Sequence, residues 1–161
     1  MSIQETTFGP KTYLVLKKSI STDQVSDKAM YDEAGKKLGA YIAAKDLKIT
    51  GPWTVVYFTW DQENKTTDMG IAFPIDGLTE VNDIELSILE VPELKAAKET
   101  LEGSYEGIFT VHQSLMEYSN EHGHNEKVEN APIIAAEEYV VTGMQDPNPE
   151  NWRTDIYHFH N

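Results

Sequence analysis

The chain has 161 residues and no cysteine, and its 40% hydrophobic and 25% charged residues are typical of a folded globular protein. This length is enough for one ordinary domain with a real core. Acidic side chains number 27 against 13 basic ones, which gives a net charge of −14. Such a surface repels phosphate backbones and attracts cations, so we expect no direct binding of nucleic acid.

Neither a secretory signal nor a membrane span is predicted. Residues 1–18 lack a basic region followed by an apolar run. No stretch approaches the roughly 18–20 apolar residues that cross a bilayer. We therefore expect a cytoplasmic protein that does not bind membranes.

The first half of the chain contains four predicted strands and one predicted helix. The strands lie over residues 3–8, 11–19, 51–60 and 67–74. Between the second and third strands, Ser21 and Gln24 have the spacing of a capping box. Apolar residues then recur at helical intervals, which predicts a helix over about 23–46.

Residues 75–83 connect this half to a second set of elements. Its strands are predicted over residues 84–91, 94–102, 132–142 and 153–160. Gly103-Ser104 introduces a helix whose apolar stripe runs from Ile108 to Tyr118, and Gly123 is typical of a helix end. Turn-forming residues over 143–152 predict a loop.

The two halves repeat one pattern. Gly51-Pro52 and the strand after it are echoed eighty residues later from Ala131-Pro132, and the next strand is echoed from Thr154. Tyr57 in the first copy corresponds to Glu137 in the second. Because a repeat preserves architecture, a charge that appears in only one copy is a candidate for function.

This duplication predicts an α+β fold in a single domain over residues 1–161. Repeat one spans about 1–77, and repeat two spans about 82–161. Each repeat is a strand–helix–strand–strand unit. Together the units give about eight antiparallel strands, two long helices and a cleft on a pseudo-twofold axis.

Two adjacent glutamates lie in the strand that carries this charge. Strand alternation puts Glu137 and Glu138 on opposite faces, so we expect only one of them to face inward. The repeat comparison favours Glu137, although alternation alone leaves the choice open. An inward carboxylate without a basic partner is unfavourable by several kcal/mol, so it should hold a proton or receive a cation.

Aromatic side chains supply walls for such a site. The candidate ligand-binding set around Glu137 is Tyr57, Tyr139, Tyr157, Trp53, Trp60, Tyr105, Phe109 and Trp152. Each ring that lies over a cation contributes roughly 0.5–2 kcal/mol. The combination predicts a site for a flat or bulky organic cation; the alternative is that Glu137 points to water and the aromatic residues fill the core.

Other chemistries find little support in the sequence. Five histidines are candidate metal ligands: His112, His122, His124, His158 and His160. His122 and His124 flank one glycine, and His158 and His160 flank one phenylalanine, but no third ligand is fixed nearby, so we expect no metal site. Phosphate-binding glycine loops and G-x-S-x-G elbows do not occur, and we expect no cofactor. Hydrolysis stays open, because a carboxylate in an apolar pocket can act as a general acid or base.

Three segments of the chain form a familiar series. They are Lys95-Ala-Ala-Lys-Glu-Thr-Leu-Glu-Gly103-Ser-Tyr105-Glu-Gly-Ile108, then Pro132 with Glu137-x-Tyr139, then Trp152-Arg-Thr154-Asp155-Ile-Tyr157. Over essentially the whole chain, they resemble the GyrI-like small-molecule-binding domain, which is also the effector-binding domain of AraC-type and MerR-type multidrug-sensing regulators.

The resemblance implies a duplicated fold with a ligand cleft between the repeats. Glu137 matches the glutamate that receives lipophilic cations in drug-sensing relatives, and Tyr157 matches a tyrosine of the closing strand. Asp155 departs from the glutamate usual there, and the ending at His158 to His160 is atypical. The chain has no room for the DNA-binding segment of the regulators, so the resemblance implies a stand-alone form.

The leading hypothesis is therefore a binding module for hydrophobic, cationic aromatic compounds, used for sequestration or for sensing with a partner protein. One alternative is a hydrolase of strained cyclopropane-containing natural products, an activity that the resemblance also implies. Glu137 would then activate water or protonate the opening ring, and Tyr105 or Tyr139 would orient it. A second alternative is a protein-interaction role, since the family's namesake inhibits DNA gyrase.

Overall fold

The computed structural model describes residues 2–161, and within them the chain forms a nine-stranded antiparallel sheet with two α-helices. The strands are β1 (Gln4–Phe8), β2 (Lys11–Ser21), β3 (Lys48–Ile49), β4 (Thr54–Asp61), β5 (Thr66–Asp76), β6 (Leu86–Val91), β7 (Leu94–Glu102), β8 (Ala135–Val141) and β9 (Arg153–His160). The helices are α1 (Lys28–Ala44) and α2 (Ile108–Glu121). The predicted α+β fold is confirmed, and the strand beyond the expected eight is β3, which has only two residues.

The strand order is β1-β7-β9-β8-β4-β5-β2-β6, with β3 beside β5. The order falls into two equivalent halves that meet where β4 pairs with β8. Each half also holds one strand from the other repeat, since β1 pairs with β7 and β6 pairs with β2. The repeats are therefore joined both at the centre of the sheet and at its two edges.

The register at the centre matches the eighty-residue offset of the sequence repeat. Val56 faces Ala136, and the flanking pairs are Val55 with Glu137 and Tyr57 with Ala135. A twofold axis through the first pair exchanges the other two. Tyr57 and Glu137 are thus equivalent positions on the two sides of the axis.

The helix α1 begins later than the sequence pattern predicts. The capping box of Ser21 and Gln24 is present, but it opens a short 3₁₀ turn over Thr22–Ser26. The side chain of Asp27 then accepts a hydrogen bond from the backbone N–H of Ala29 and starts α1 as a second N-cap. Two consecutive caps therefore divide the predicted helix into a turn and a helix.

Both helices cover the same face of the sheet. On α1 the buried residues are Ala34, Leu38 and Ile42, which pack with Val55 and other residues of the first half. On α2 they are Val111 and Leu115, which pack with Ala97 and Ile156 of the second half. The central strands β4 and β8 lie between these two clusters.

The face of the sheet opposite the helices packs around a second hydrophobic core. Its buried apolar residues include Phe8 of β1 and Leu94 of β7, together with Val56 and Ala136 at the centre. Because the sheet curls around this core, its strands are covered on both faces. Neither α1 nor α2, nor any other helix among residues 2–161, is both long and apolar enough to cross a membrane.

Candidate functional site

Glu137 lies at the centre of the sheet on the face that the helices cover, and it is 1% exposed. Tyr139 donates a hydrogen bond to its Oε1 at 2.7 Å, and Tyr57 donates one to its Oε2 at 2.9 Å. The Nε2 atom of His112, on α2, lies 2.6 Å from the same Oε2. Within residues 2–161 this carboxylate has no lysine or arginine partner, so hydrogen-bond donors stabilise it in place of a fixed cation.

The pairing of β4 with β8 assembles this site. Val55 lies opposite Glu137, so the next residue on that face of β4 is Tyr57, and the next on β8 is Tyr139. Tyr57 itself lies opposite Ala135, whose small side chain leaves space beside the phenol ring. The two tyrosines therefore reach the carboxylate from different strands.

Aromatic rings continue outward from Tyr139. Trp53 stacks on it with ring centres 4.0 Å apart and an angle of 3°, and Tyr105 meets it edge-on at 5.4 Å. Trp152 stacks on Tyr105 at 4.9 Å, and Tyr31 of α1 lies 6.1 Å from Trp53. These rings form an apolar wall on one side of the buried charge.

The tyrosines at the carboxylate remain hydrogen-bond donors. Burial raises the pKa of both Tyr57 and Tyr139, and the nearby charge of Glu137 raises it further. Both phenols therefore keep their protons throughout the neutral range. The site presents a negative charge that two fixed O–H groups stabilise, an arrangement suited to receiving a positive one.

A second imidazole extends the hydrogen-bonded chain behind His112. The Nδ1 atom of His112 lies 2.8 Å from Nε2 of His158 on β9. Burial, and then the neighbouring His112, lowers the pKa of His158 to about 3. His158 is therefore neutral at pH 7. The hydrogen-bonded series consists of the Glu137 carboxylate, the His112 imidazole and the His158 imidazole.

The neighbouring glutamate is buried on the other face. Glu138 accepts a hydrogen bond from the hydroxyl of Tyr157 at 2.7 Å and pairs with Lys11 Nζ at 2.7 Å. The expectation that only one of the two glutamates faces inward is wrong, because the curled sheet is covered on both faces. Tyr157 lies opposite Ala136, so it belongs with Glu138 and not with Glu137.

Two other predicted aromatic residues lie at the margin of the site. Trp60 meets Tyr57 edge-on at 5.8 Å and is 36% exposed. Phe109 is on the first turn of α2 and is 64% exposed. The structure thus places Tyr57 and Tyr139 at Glu137 and connects Trp53, Tyr105 and Trp152 to Tyr139 through ring contacts. Trp60, Phe109 and also Tyr105, which is 36% exposed, reach the surface.

Sequence reasoning missed three contributors to the site: His112, His158 and Tyr31. His158 alternates with Ile156, which lies opposite Glu137, so strand alternation combined with the pairing of β8 and β9 identifies it. His112 follows the buried Val111 on α2, and only the approach of that helix to β8 shows its role. Among residues 2–161, no group of three or more His, Asp or Glu side chains is placed to hold a metal ion.

Sequence comparison yields neither a matching family model nor a matching curated protein. Solved structures do match. EcmrR in its DNA complex superposes with a TM-score of 0.79 at 13% identity, and the match covers 99% of this chain and 57% of that one. The present chain therefore spans little more than half of that protein. The isolated EcmrR C-terminal domain matches over 100% of this chain and 99% of its own length, with a TM-score of 0.74 at 16% identity.

Two further proteins share the architecture. SAV2435 bound to tetraphenylphosphonium has a TM-score of 0.67 at 14% identity, covering 100% of this chain and 94% of that one. A hydrolase from Listeria innocua has a TM-score of 0.55 at 13% identity, covering 96% and 90%. At these identities the likeness establishes the fold: this chain has the fold of the EcmrR C-terminal domain and of SAV2435, which confirms the fold implied by the resemblance to GyrI-like domains.

Proposed function

We propose that this protein binds hydrophobic organic cations, with Glu137 as their charge partner and the rings beside Tyr139 as their apolar wall. The observation that carries the proposal is a buried carboxylate that no lysine or arginine of residues 2–161 neutralises. Hydrogen bonds from tyrosine and histidine hold this carboxylate in place of a lysine or arginine, so a cation that reaches it gains electrostatic stabilisation.

The contrast with Glu138 supports the choice of Glu137. Glu138 already has a built-in ammonium group, since Lys11 lies 2.7 Å from it and also 5.0 Å from the centre of the Phe8 ring. That face of the sheet thus holds its own cation against an aromatic ring. Glu137 has the same kind of surroundings without the resident lysine, so it is the carboxylate that an external cation would pair with.

The hydrogen bonds at Glu137 suit a cation that has no N–H group. Oε1 accepts from Tyr139, and Oε2 accepts from Tyr57. Each carboxylate oxygen therefore keeps a hydrogen-bond donor even when the ligand provides none. A phosphonium or quaternary ammonium ion can then bind through charge and ring contacts alone.

Charge and structural likeness agree with this assignment. The net charge of −14 concentrates cations near the protein surface. SAV2435, which shares the fold, was solved with tetraphenylphosphonium, a hydrophobic cation. In use, the protein would either sequester such a compound or pass its bound state to a partner protein.

The first experiment is a tryptophan-fluorescence titration with tetraphenylphosphonium and with neutral triphenylphosphine oxide. Trp53 and Trp152 lie in the aromatic wall and supply the signal. We expect the wild type to bind the cation and Glu137→Gln to bind it at least about tenfold more weakly, because a charge pair becomes a neutral contact. Glu138→Gln is the matched control and should retain wild-type affinity.

Three results would contradict the proposal. They are equal affinity for the cation and the neutral oxide, wild-type affinity in Glu137→Gln, and loss of affinity confined to Glu138→Gln. The last result would place the ligand on the opposite face of the sheet. Circular dichroism of each variant separates a lost site from a lost fold.

A hydrolase is the second candidate. The hydrogen-bonded series from Glu137 through His112 to His158 favours this activity. A carboxylate joined to two imidazoles can accept and pass on the proton of an attacking water. Incubation with a cyclopropane-containing alkylating natural product, followed by mass spectrometry, tests this activity. A ring-opened, hydrated product that Glu137→Gln does not form would establish it, and unchanged compound would leave binding alone.

A further inference from the structure

His112 is the more exposed partner in its contact with Glu137. Glu137 is 1% exposed, whereas the His112 side chain is 20% exposed and lies on α2. The Nε2 atom of His112 is 2.6 Å from Oε2 of the carboxylate. A ligand that reaches the carboxylate from the side of α2 therefore meets this imidazole first.

His112 contacts both Glu137 and one of the tyrosines that bond it. Its ring meets Tyr57 edge-on at 5.8 Å and 87°, and its Nε2 atom contacts the same oxygen that accepts from Tyr57. Tyr139 bonds Oε1 of the carboxylate, and Tyr57 and His112 both contact Oε2. A ligand that pairs with Oε2 from the side of α2 therefore has to displace the imidazole.

His158 makes the site compatible with a charged imidazole at His112. Its pKa of about 3, which burial and then His112 lower, keeps it neutral. A neutral ring can accept a hydrogen bond from Nδ1–H of His112, while Glu137 accepts one from Nε2–H. Both nitrogens of a protonated His112 then have an acceptor.

The groups that face His112 come from three strands. They are Glu137 on β8, Tyr57 on β4 and His158 on β9. Burial raises the pKa of Tyr57, which stays neutral. Glu137 is therefore the one carboxylate among them.

We propose that His112 is the internal occupant of the cation site, so that ligand binding exchanges its imidazole for the cationic group of the ligand. This inference rests on the proposed function and adds the residue that controls access to the Glu137 carboxylate. The imidazole and the ligand compete for the same carboxylate, because Nε2 of His112 already contacts its Oε2.

The test compares wild type with His112→Gln by calorimetric titration with tetraphenylphosphonium. Glutamine retains a donor for Glu137 but loses the second contact, to His158, that holds the imidazole in place, so we expect about fivefold tighter binding. The matched control is His122→Gln, at the exposed end of the same helix, where the ring bonds the carbonyl of Tyr118. It should bind as the wild type does.

A second measurement compares the chemical reactivity of the His112 ring in the free and the ligand-bound wild-type protein. Diethylpyrocarbonate should modify His112 slowly in the free protein and faster when tetraphenylphosphonium is bound, because the ring is then released to solvent. Peptide mass spectrometry reports the site of modification. His112 should also react faster in free Glu137→Gln, which removes its charged partner.

Several results would overturn the inference. They are weaker binding by His112→Gln, unchanged binding by that variant, and equal reactivity of His112 in free and bound protein. Failure of the proposed function gives a different pattern, in which wild type and Glu137→Gln have the same affinity. In that case, slow modification of His112 in wild type and fast modification in Glu137→Gln would still support its contact with the carboxylate.

Discussion

At Glu137, two tyrosines on different strands share the stabilisation of one buried charge. Tyr139 donates to one carboxylate oxygen and Tyr57 to the other, and both phenols are buried. Hydrogen bonds to a charged group are stronger than those between neutral groups. The carboxylate would therefore be poorly stabilised if either phenol lost its hydroxyl.

We expect Tyr57→Phe and Tyr139→Phe each to lower the free energy of unfolding by roughly 1–3 kcal/mol, because each removes a hydrogen bond to a buried carboxylate. The loss should be larger for Tyr139→Phe, since Oε1 then keeps no donor among residues 2–161, whereas Oε2 still contacts His112 in Tyr57→Phe. Urea denaturation at pH 7 measures the change. Tyr41→Phe is the control, since its hydroxyl bonds Asn82 near the surface and should contribute less than about 0.5 kcal/mol. Wild-type stability in both site variants would show that the tyrosines do not stabilise Glu137.

At the scale of the elements, close packing between strands depends on a glycine in β5. A Cβ atom at Gly70 would lie 2.5 Å from Cγ2 of Val15 and 3.3 Å from Cγ2 of Val56. Both valines are completely buried, one on β2 and one on β4. Gly70 thus leaves room for the side chains of both neighbouring strands in the core opposite the helices.

Gly70→Ala should lower the free energy of unfolding by roughly 1–3 kcal/mol, because the added methyl group overpacks this core. Gly39→Ala is the matched change on α1, where a Cβ atom meets nothing within 4 Å. It should raise stability by about 0.5–1 kcal/mol, since alanine loses less conformational entropy in a helix. Thermal and urea unfolding measure both changes. A Gly70→Ala variant with wild-type stability would show that the strands can move apart at little cost in free energy.

For the molecule as a whole, the charge of −14 opposes compaction and attracts cations. Salt weakens both effects, because the screening length falls from about 10 Å at 0.1 M to about 3 Å at 1 M. Stability and cation affinity should therefore respond to ionic strength in opposite directions.

Raising sodium chloride from about 0.05 to 0.5 M should increase the unfolding temperature and weaken tetraphenylphosphonium binding several-fold, because screening relieves self-repulsion and reduces the attraction of cations. Differential scanning calorimetry and fluorescence titration report the two changes. Binding of a neutral aromatic compound is the control and should not weaken. Salt-independent cation affinity would mean that contacts at Glu137 alone determine it.

Much of the fold was predictable because it depends on short-range periodicity. Alternation and helical spacing identified the long strands and both helices, and the eighty-residue offset predicted the equivalence of Tyr57 and Glu137 that the pairing of β4 with β8 displays. Where the prediction for α1 was wrong, the cause was also local, a second cap at Asp27.

The candidate site was predictable only in part. Glu137 and Tyr139 stand two residues apart on one strand, so alternation alone puts them on one face. The position of Tyr157 beside Glu138 depends on how β9 pairs with β8, and the contact of His112 depends on where α2 packs. Neither of these is encoded in a short segment.

The sequence by itself determined the α+β architecture, the duplication and the faces of each strand, because these properties depend on neighbours within a few residues. Tertiary structure alone decided that β1 and β6 exchange between the repeats. It also decided that Lys11 pairs with Glu138, whereas Glu137 contacts His112 and no lysine or arginine of residues 2–161. Those outcomes depend on contacts between residues far apart in the chain, whose geometry is set only when the curled sheet and its helices pack together.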